Sequence, residues 1–215
     1  MGLITLCGCD HQNPTTVINP NQETKVEKPE LSPTIQEEIA LLVRAAFYDK
    51  PRIVEIICEE IYEPGTLDAN DVAKAIDREF VKWSAEKNTW PNVTDCDQID
   101  TAFAAIEKRG IIALQNAGIT QSDGLDDFNE AYARNPNKAS IVGYCFYHGQ
   151  DMDRAIHGSG LYLAFGPVDP NEETTKGPVV GKIIREELER VGFVVEWDET
   201  FAKRIFIPKF VWQRR

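Results

Sequence analysis

Residues 143–151, GYCFYHGQD, form the densest run of reactive side chains in the 215-residue chain. A cysteine with a histidine is the pair of a nucleophilic hydrolase, which needs the thiolate and the imidazole within hydrogen-bond reach. Successive residues of a strand point to opposite faces, so Cys145 and His148 would face apart. A buried, inert thiol at Cys145 is therefore the favoured interpretation.

His148 is the stronger candidate for function, because it precedes Gly149 and a predicted helix N-cap at Asp151. Ligands often bind where a strand ends beside the N-terminus of a helix. Acid–base catalysis would require a second titratable group, and Asp123 and Tyr144 are the candidates. The alternative is that His148 only hydrogen-bonds a neighbouring loop.

Polar side chains also follow two of the predicted strands and fill the loop between them. If those strands are neighbours, the polar groups would line one pocket. The alternative is a loop of side-chain turns and helix caps that only fixes the backbone. The predicted ligand-binding residues are Gln115, Asn116, Thr120, Ser122, Tyr144 and His148.

Common metal and phosphate motifs are missing from the sequence. It contains neither HExxH nor CxxC, and the run SDGLDD at 122–127 lacks the alternating ligands and terminal glutamate of a calcium loop. The glycines of 158–160 lack the lysine of a phosphate-binding loop. We therefore expect no cofactor and no metal.

The elements that must position these residues are predicted from hydrophobic periodicity. Apolar residues at helical spacing predict a helical subdomain at 33–90, and residues 91–215 read as an α+β domain. We expect a mainly antiparallel sheet with helices on one face, loosely like a ferredoxin-type sandwich. The predicted strands lie near 111–116, 139–148, 160–166, 193–198 and 204–212.

The composition of residues 1–32 differs from that of the rest of the chain. Residues 1–9 are largely apolar and end in LCGC, which resembles a bacterial lipobox and predicts lipidation at Cys9. Residues 10–32 are rich in Asn, Pro, Thr and Glu, as in a disordered tether. The prediction is an inner-membrane lipoprotein facing the periplasm. The alternative is a cytoplasmic protein whose N-terminus is apolar by chance.

The net charge of −12 argues against a nucleic-acid partner, because phosphates require a basic surface. A basic protein partner is favoured instead, since acidic surfaces steer such partners. The leading hypothesis is a non-catalytic binding protein, of the kind that neutralises a toxin in an immunity role. The alternative is a small enzyme with hydrolase-like acid–base chemistry in a pocket around His148.

Three segments carry a resemblance to a known family. They are TDCDQIDTAFAAIEKRGIIALQNAGITQSDG, GYCFYHGQDMDRAIHGSGLYLAFG and RIFIPKFVWQRR. Together they resemble an uncharacterised bacterial domain family over about residues 90–215. Since that family has no established activity, the resemblance implies no catalytic residue.

Overall fold

The computed structural model describes residues 31–215. The predicted signal remnant at 1–9, its lipidated Cys9 and nearly all of the tether at 10–32 lie outside the described residues, and they stay predictions. Within the described part, no helix is both long and apolar enough to cross a bilayer.

The N-terminal helices follow the predicted pattern of apolar residues. Ser32 and Asp49 each accept a hydrogen bond from a backbone N–H of the helix that they precede, and a proline stands in the first turn of both helices. Their apolar faces share one hydrophobic cluster, which includes Ile39, Ile57 and Ile76. The elements are α1 (Pro33–Ala45), α2 (Lys50–Glu55), a π-helical continuation (Ile56–Ile61) and α3 (Ala69–Lys87).

The rest of the described chain is a four-stranded mixed sheet with helices, so the α+β class is confirmed. The strand order is β1-β2-β3-β4, with β1 parallel to β2 and the other two pairings antiparallel. The strands are β1 (Ile111–Leu114), β2 (Gly143–Phe146), β3 (Leu161–Pro167) and β4 (Ile205–Ile207). The remaining helices are α4 (Asp95–Lys108), α5 (Gln121–Arg134), α6 (Gly149–Ile156) and α7 (Glu173–Arg190).

Helices cover both faces of this sheet, whereas the sequence predicted helices on one face. On one face, Cys145 and Leu163 pack in the main core with residues of α4 and α7. On the other face, Tyr144 and Phe146 pack against Phe128 of α5. The connection also differs from the ferredoxin-type arrangement. Strands β1 and β2, which α5 connects along the chain, are direct neighbours here, whereas in the ferredoxin type another strand lies between such a pair.

Four of the five predicted strands are shorter than expected. The strand predicted at 111–116 ends at Leu114, and the one predicted at 139–148 covers only Gly143–Phe146, since a 3-10 turn occupies Lys138–Ser140. The segment 193–198 contributes only one bridge, between Glu196 and Phe206, because the chain then turns and Asp198 accepts the backbone N–H of Thr200. The segment 204–212 pairs with β3 only as far as Ile207, because the next residue is a proline and has no N–H to donate.

Candidate functional site

Helix α5 covers one face of the sheet at β1 and β2. A cavity of about 860 Å³ opens on the same face, over β3 and β4. Pockets for small molecules usually measure roughly 300–1,000 Å³. We call it the β3–β4 cavity. Its lining residues are Gln121, His148, Gln150, Asp151, Arg154, Tyr162, Glu196, Trp197, Asp198, Ala202, Lys203, Arg204 and Phe206.

The floor of the cavity is one row of cross-strand neighbours. Tyr162 of β3 lies opposite Phe206 of β4, and Phe206 lies opposite Glu196. Directly opposite residues in antiparallel pairs share a face, so the three side chains stand side by side. The rings of Tyr162 and Phe206 stack, with centroids 4.2 Å apart and planes inclined by 19°.

The cavity wall contains a chain of charged and polar groups centred on Asp151, which is 1% exposed. Its Oδ2 lies 3.1 Å from Nε2 of His148 and accepts the backbone N–H of the same residue at 3.3 Å. It also accepts a hydrogen bond from Nη2 of Arg204. Asp151 therefore occupies the third position of α6 rather than the predicted N-cap, and His148 is the N-cap residue.

His148 is 4% exposed and its ring is neutral at pH 7. Burial lowers the pKa of the imidazole, assisted by the charge of Arg204, and this outweighs the opposite effect of Asp151. The ring lies close to the carbonyl of Ile119, yet Nδ1 forms no hydrogen bond of standard geometry. Nε of Arg204 is likewise buried without a partner among residues 31–215. Both atoms are enclosed by the protein, so neither is exposed to the cavity.

The two proposed acid–base partners of His148 lie outside the cavity lining. The carboxylate of Asp123 caps α5: it accepts the N–H groups of Thr120 at 2.8 Å and Ile119 at 3.2 Å, and the Thr120 bond lowers its pKa. The Tyr144 ring lies beneath α5, 4.6 Å from the ring of Phe128, and burial raises its pKa to about 12.

The six predicted ligand-binding residues do not meet in one cavity. Gln115 bonds the Tyr147 hydroxyl and Asp100, and Asn116 bonds the hydroxyl of Tyr48. Thr120 is the N-cap of α5, and Ser122 is exposed in the first turn of that helix. Of the six, only His148 lines the β3–β4 cavity.

Most residues of the cavity carried only weak signals in the sequence. Lys203 and Arg204 belong to a basic C-terminal cluster that is typical of a solvated end. Tyr162 and Phe206 alternate with buried aliphatic residues, a pattern that predicts a strand without naming a site. The pairing of β3 with β4, which only the fold provides, brings these residues together.

The cysteines of the described part are free, buried thiols at 58, 96 and 145. Cys145 is fully buried, and burial raises its pKa, which disfavours the reactive thiolate. Among residues 31–215, no cluster of three or more His, Cys, Asp or Glu side chains could hold a metal ion.

Residues 28–215 match the family described as a domain of unknown function (DUF6891). This chain belongs to that family. The match includes the N-terminal helices as well as the sheet, whereas the resemblance seen in the sequence covered about residues 90–215. Comparison with curated proteins and with solved structures gives no significant match.

Proposed function

We propose that this protein is a non-catalytic binding protein that takes up a small molecule in the β3–β4 cavity. One observation carries the proposal: a cavity of ligand size combines a floor of stacked aromatic rings with a wall of charged and polar groups. A ligand would contact the half-buried rings of Tyr162 and Phe206 and the charged side chains that border them.

Binding fits the geometry better than acid–base catalysis. A catalytic base must reach the substrate proton, but the imidazole of His148 is buried and its Nε2 faces Asp151. Asp123 and Tyr144 are each engaged in another role. The small-enzyme hypothesis would regain support from any turnover that His148→Gln abolishes while the variant stays folded.

The test compares ligand capture by three proteins. The full chain, its Ala202→Trp variant and its Ala133→Trp variant are each incubated with the small-molecule fraction of an extract of the source organism, and retained compounds are identified by mass spectrometry. Ala202 lines the cavity, whereas Ala133 is exposed on α5 away from it. We expect a compound retained by the wild type and by Ala133→Trp but lost from Ala202→Trp. Equal retention by all three proteins, or none, would contradict the proposal.

A protein partner of the immunity type is a second proposal, supported by the net charge of −12. It predicts a stoichiometric basic partner in an affinity purification, with a binding constant that weakens as salt rises. Ala202→Trp should leave such a partner in place if it binds another surface. A bait that returns alone at low salt would contradict it.

A further inference from the structure

We infer that the ligand of the β3–β4 cavity is a zwitterion with separated charges and an apolar middle, of the size of a dipeptide. This inference rests on the proposed function and names the ligand class of the same site. It follows from the charges that remain unpaired in the cavity, from their positions and from the surface between them.

Most charges in the cavity neutralise each other. Arg204 pairs with Asp151, and Nζ of Lys203 lies 3.4 Å from Oδ2 of Asp198. Within residues 31–215, Arg154 and Glu196 have no ion-pair partner, and they do not pair with one another. The cavity therefore offers one free cation and one free anion.

These two charges lie at opposite ends of the aromatic floor. The guanidinium carbon of Arg154 is 5.4 Å from the centre of the Tyr162 ring. Glu196 stands on the far side of Phe206, one strand spacing beyond it. Neighbouring strands are about 4.8 Å apart, so Glu196 is about two spacings, or roughly 10 Å, from the β3 backbone. A ligand that bridges both groups must carry its own charges well apart.

The surface between the two charges is apolar. The rings of Tyr162 and Phe206 stack on each other, and both are only partly buried. An aliphatic or aromatic side chain of the ligand would cover them and exclude water. The ammonium and carboxylate of a single α-amino acid sit on one carbon and cannot span the floor, whereas the two termini of a dipeptide can.

The chemistry also sets the orientation of the ligand. A guanidinium binds a carboxylate through two parallel hydrogen bonds, so Arg154 would bind the C-terminal carboxylate. Glu196 would bind the N-terminal ammonium. The Arg204 guanidinium, whose carbon is 5.5 Å from the centre of the Tyr162 ring, stays paired with Asp151 and leaves the carboxylate to Arg154.

The test measures leucyl-phenylalanine by isothermal titration calorimetry against the full chain, together with its N-acetylated and its C-amidated forms. We expect each blocked form to bind the wild type about tenfold more weakly, the usual effect of losing one charge-assisted hydrogen bond. Glu196→Gln should bind the free and acetylated forms equally. Arg154→Gln should bind the free and amidated forms equally. Glu107→Gln and Arg134→Gln, exposed outside the cavity, should behave as the wild type.

Equal binding of free and blocked dipeptides, or failure of the free dipeptide to bind, would overturn the inference. The Ala202→Trp capture experiment separates this failure from that of the proposed function. A captured compound that lacks both charges would overturn the zwitterion alone. If no captured compound depends on Ala202, both the ligand class and the binding site are wrong.

Discussion

At the scale of single residues, Asp151 organises the candidate site. Its carboxylate holds the imidazole and backbone N–H of His148 and the guanidinium of Arg204. The sequence placed a helix cap near Asp151, since an acid in the first turn is a strong local signal. It could not reveal Arg204, which lies 53 positions away and arrives only through the pairing of β3 with β4.

Replacing Asp151 with asparagine should lower the free energy of unfolding by about 2 kcal/mol. Removing one partner of a buried ion pair costs roughly 3–5 kcal/mol, and we reduce that figure because Arg204 is partly exposed. Urea denaturation at pH 7 measures the change. Asp153→Asn is the matched control on the same helix, because its ion pair with His157 is exposed. The interpretation of Asp151 fails if the two variants lose equal stability.

The protonation of His148 predicts a pH dependence of stability. The pKa of His148 is lower in the folded state than its usual value of about 6.5, so the unfolded chain binds more protons below that pH. The stabilisation is therefore complete above about pH 6.5. It is lost as the pH falls from 6.5 through the lower pKa that His148 has in the folded state.

We expect His148→Gln to lose less of its free energy of unfolding between pH 6.5 and 5 than the wild type loses. Urea titrations at several pH values measure the slope. His157→Gln replaces an exposed histidine and should keep the wild-type slope. A wild-type slope in His148→Gln would contradict the buried, neutral imidazole.

At the scale of elements, periodicity and capping predicted the helices well. Thr120 and Asp123 form a reciprocal capping box that starts α5, as the spacing of a hydroxyl and an acid predicts. The close packing of α5 on its sheet face requires Gly124, where a Cβ would overlap the ring of Phe146. This close approach involves a residue of another element, so a glycine in a helical pattern does not by itself predict it.

The C-terminal arm, residues 208–215, has no helix or strand but ties several elements together. Nε1 of Trp212 donates to the carbonyl of Arg44 in α1 at 3.0 Å, and its ring packs edge-on against Tyr147 after β2. Arg214 hydrogen-bonds Asp100 of α4 and Gln115 after β1. The arm thus joins the N-terminal helices to the sheet.

Trp212→Ala should therefore destabilise the protein by about 2–3 kcal/mol, less than the loss of a fully buried tryptophan because the side chain is half-buried. The change is measured by urea denaturation. Val211→Ala is the control on the adjacent, exposed residue. Equal stability of the two variants would mean that the arm lies on the surface without joining the elements.

At the scale of the whole molecule, composition and periodicity predicted the α+β class and the order of helices before sheet. They did not predict the mixed pairing, because a four-residue strand such as β1 carries too little pattern to fix its partner or direction. The cavity is a property of this larger arrangement. It exists because α5 covers only one half of its sheet face and leaves β3 and β4 open.

The tryptophans of the chain allow a direct test of the central claim, that a ligand binds in the β3–β4 cavity. Of its four tryptophans, Trp197 borders this cavity. Its ring packs against Phe165, and its Nε1 donates to the carbonyls of Thr200 and Lys203 in the loop 198–203, which lines the cavity. The other three, at 83, 90 and 212, surround a separate small pocket. The indole N–H resonances therefore report on the two places independently.

We would record the indole N–H region of the NMR spectrum while adding the small-molecule fraction of the source organism, with Trp197→Phe to assign its resonance. The account predicts that the Trp197 resonance shifts and that the other three stay in place. A spectrum in which no resonance moves, or in which only the other three move, would contradict it.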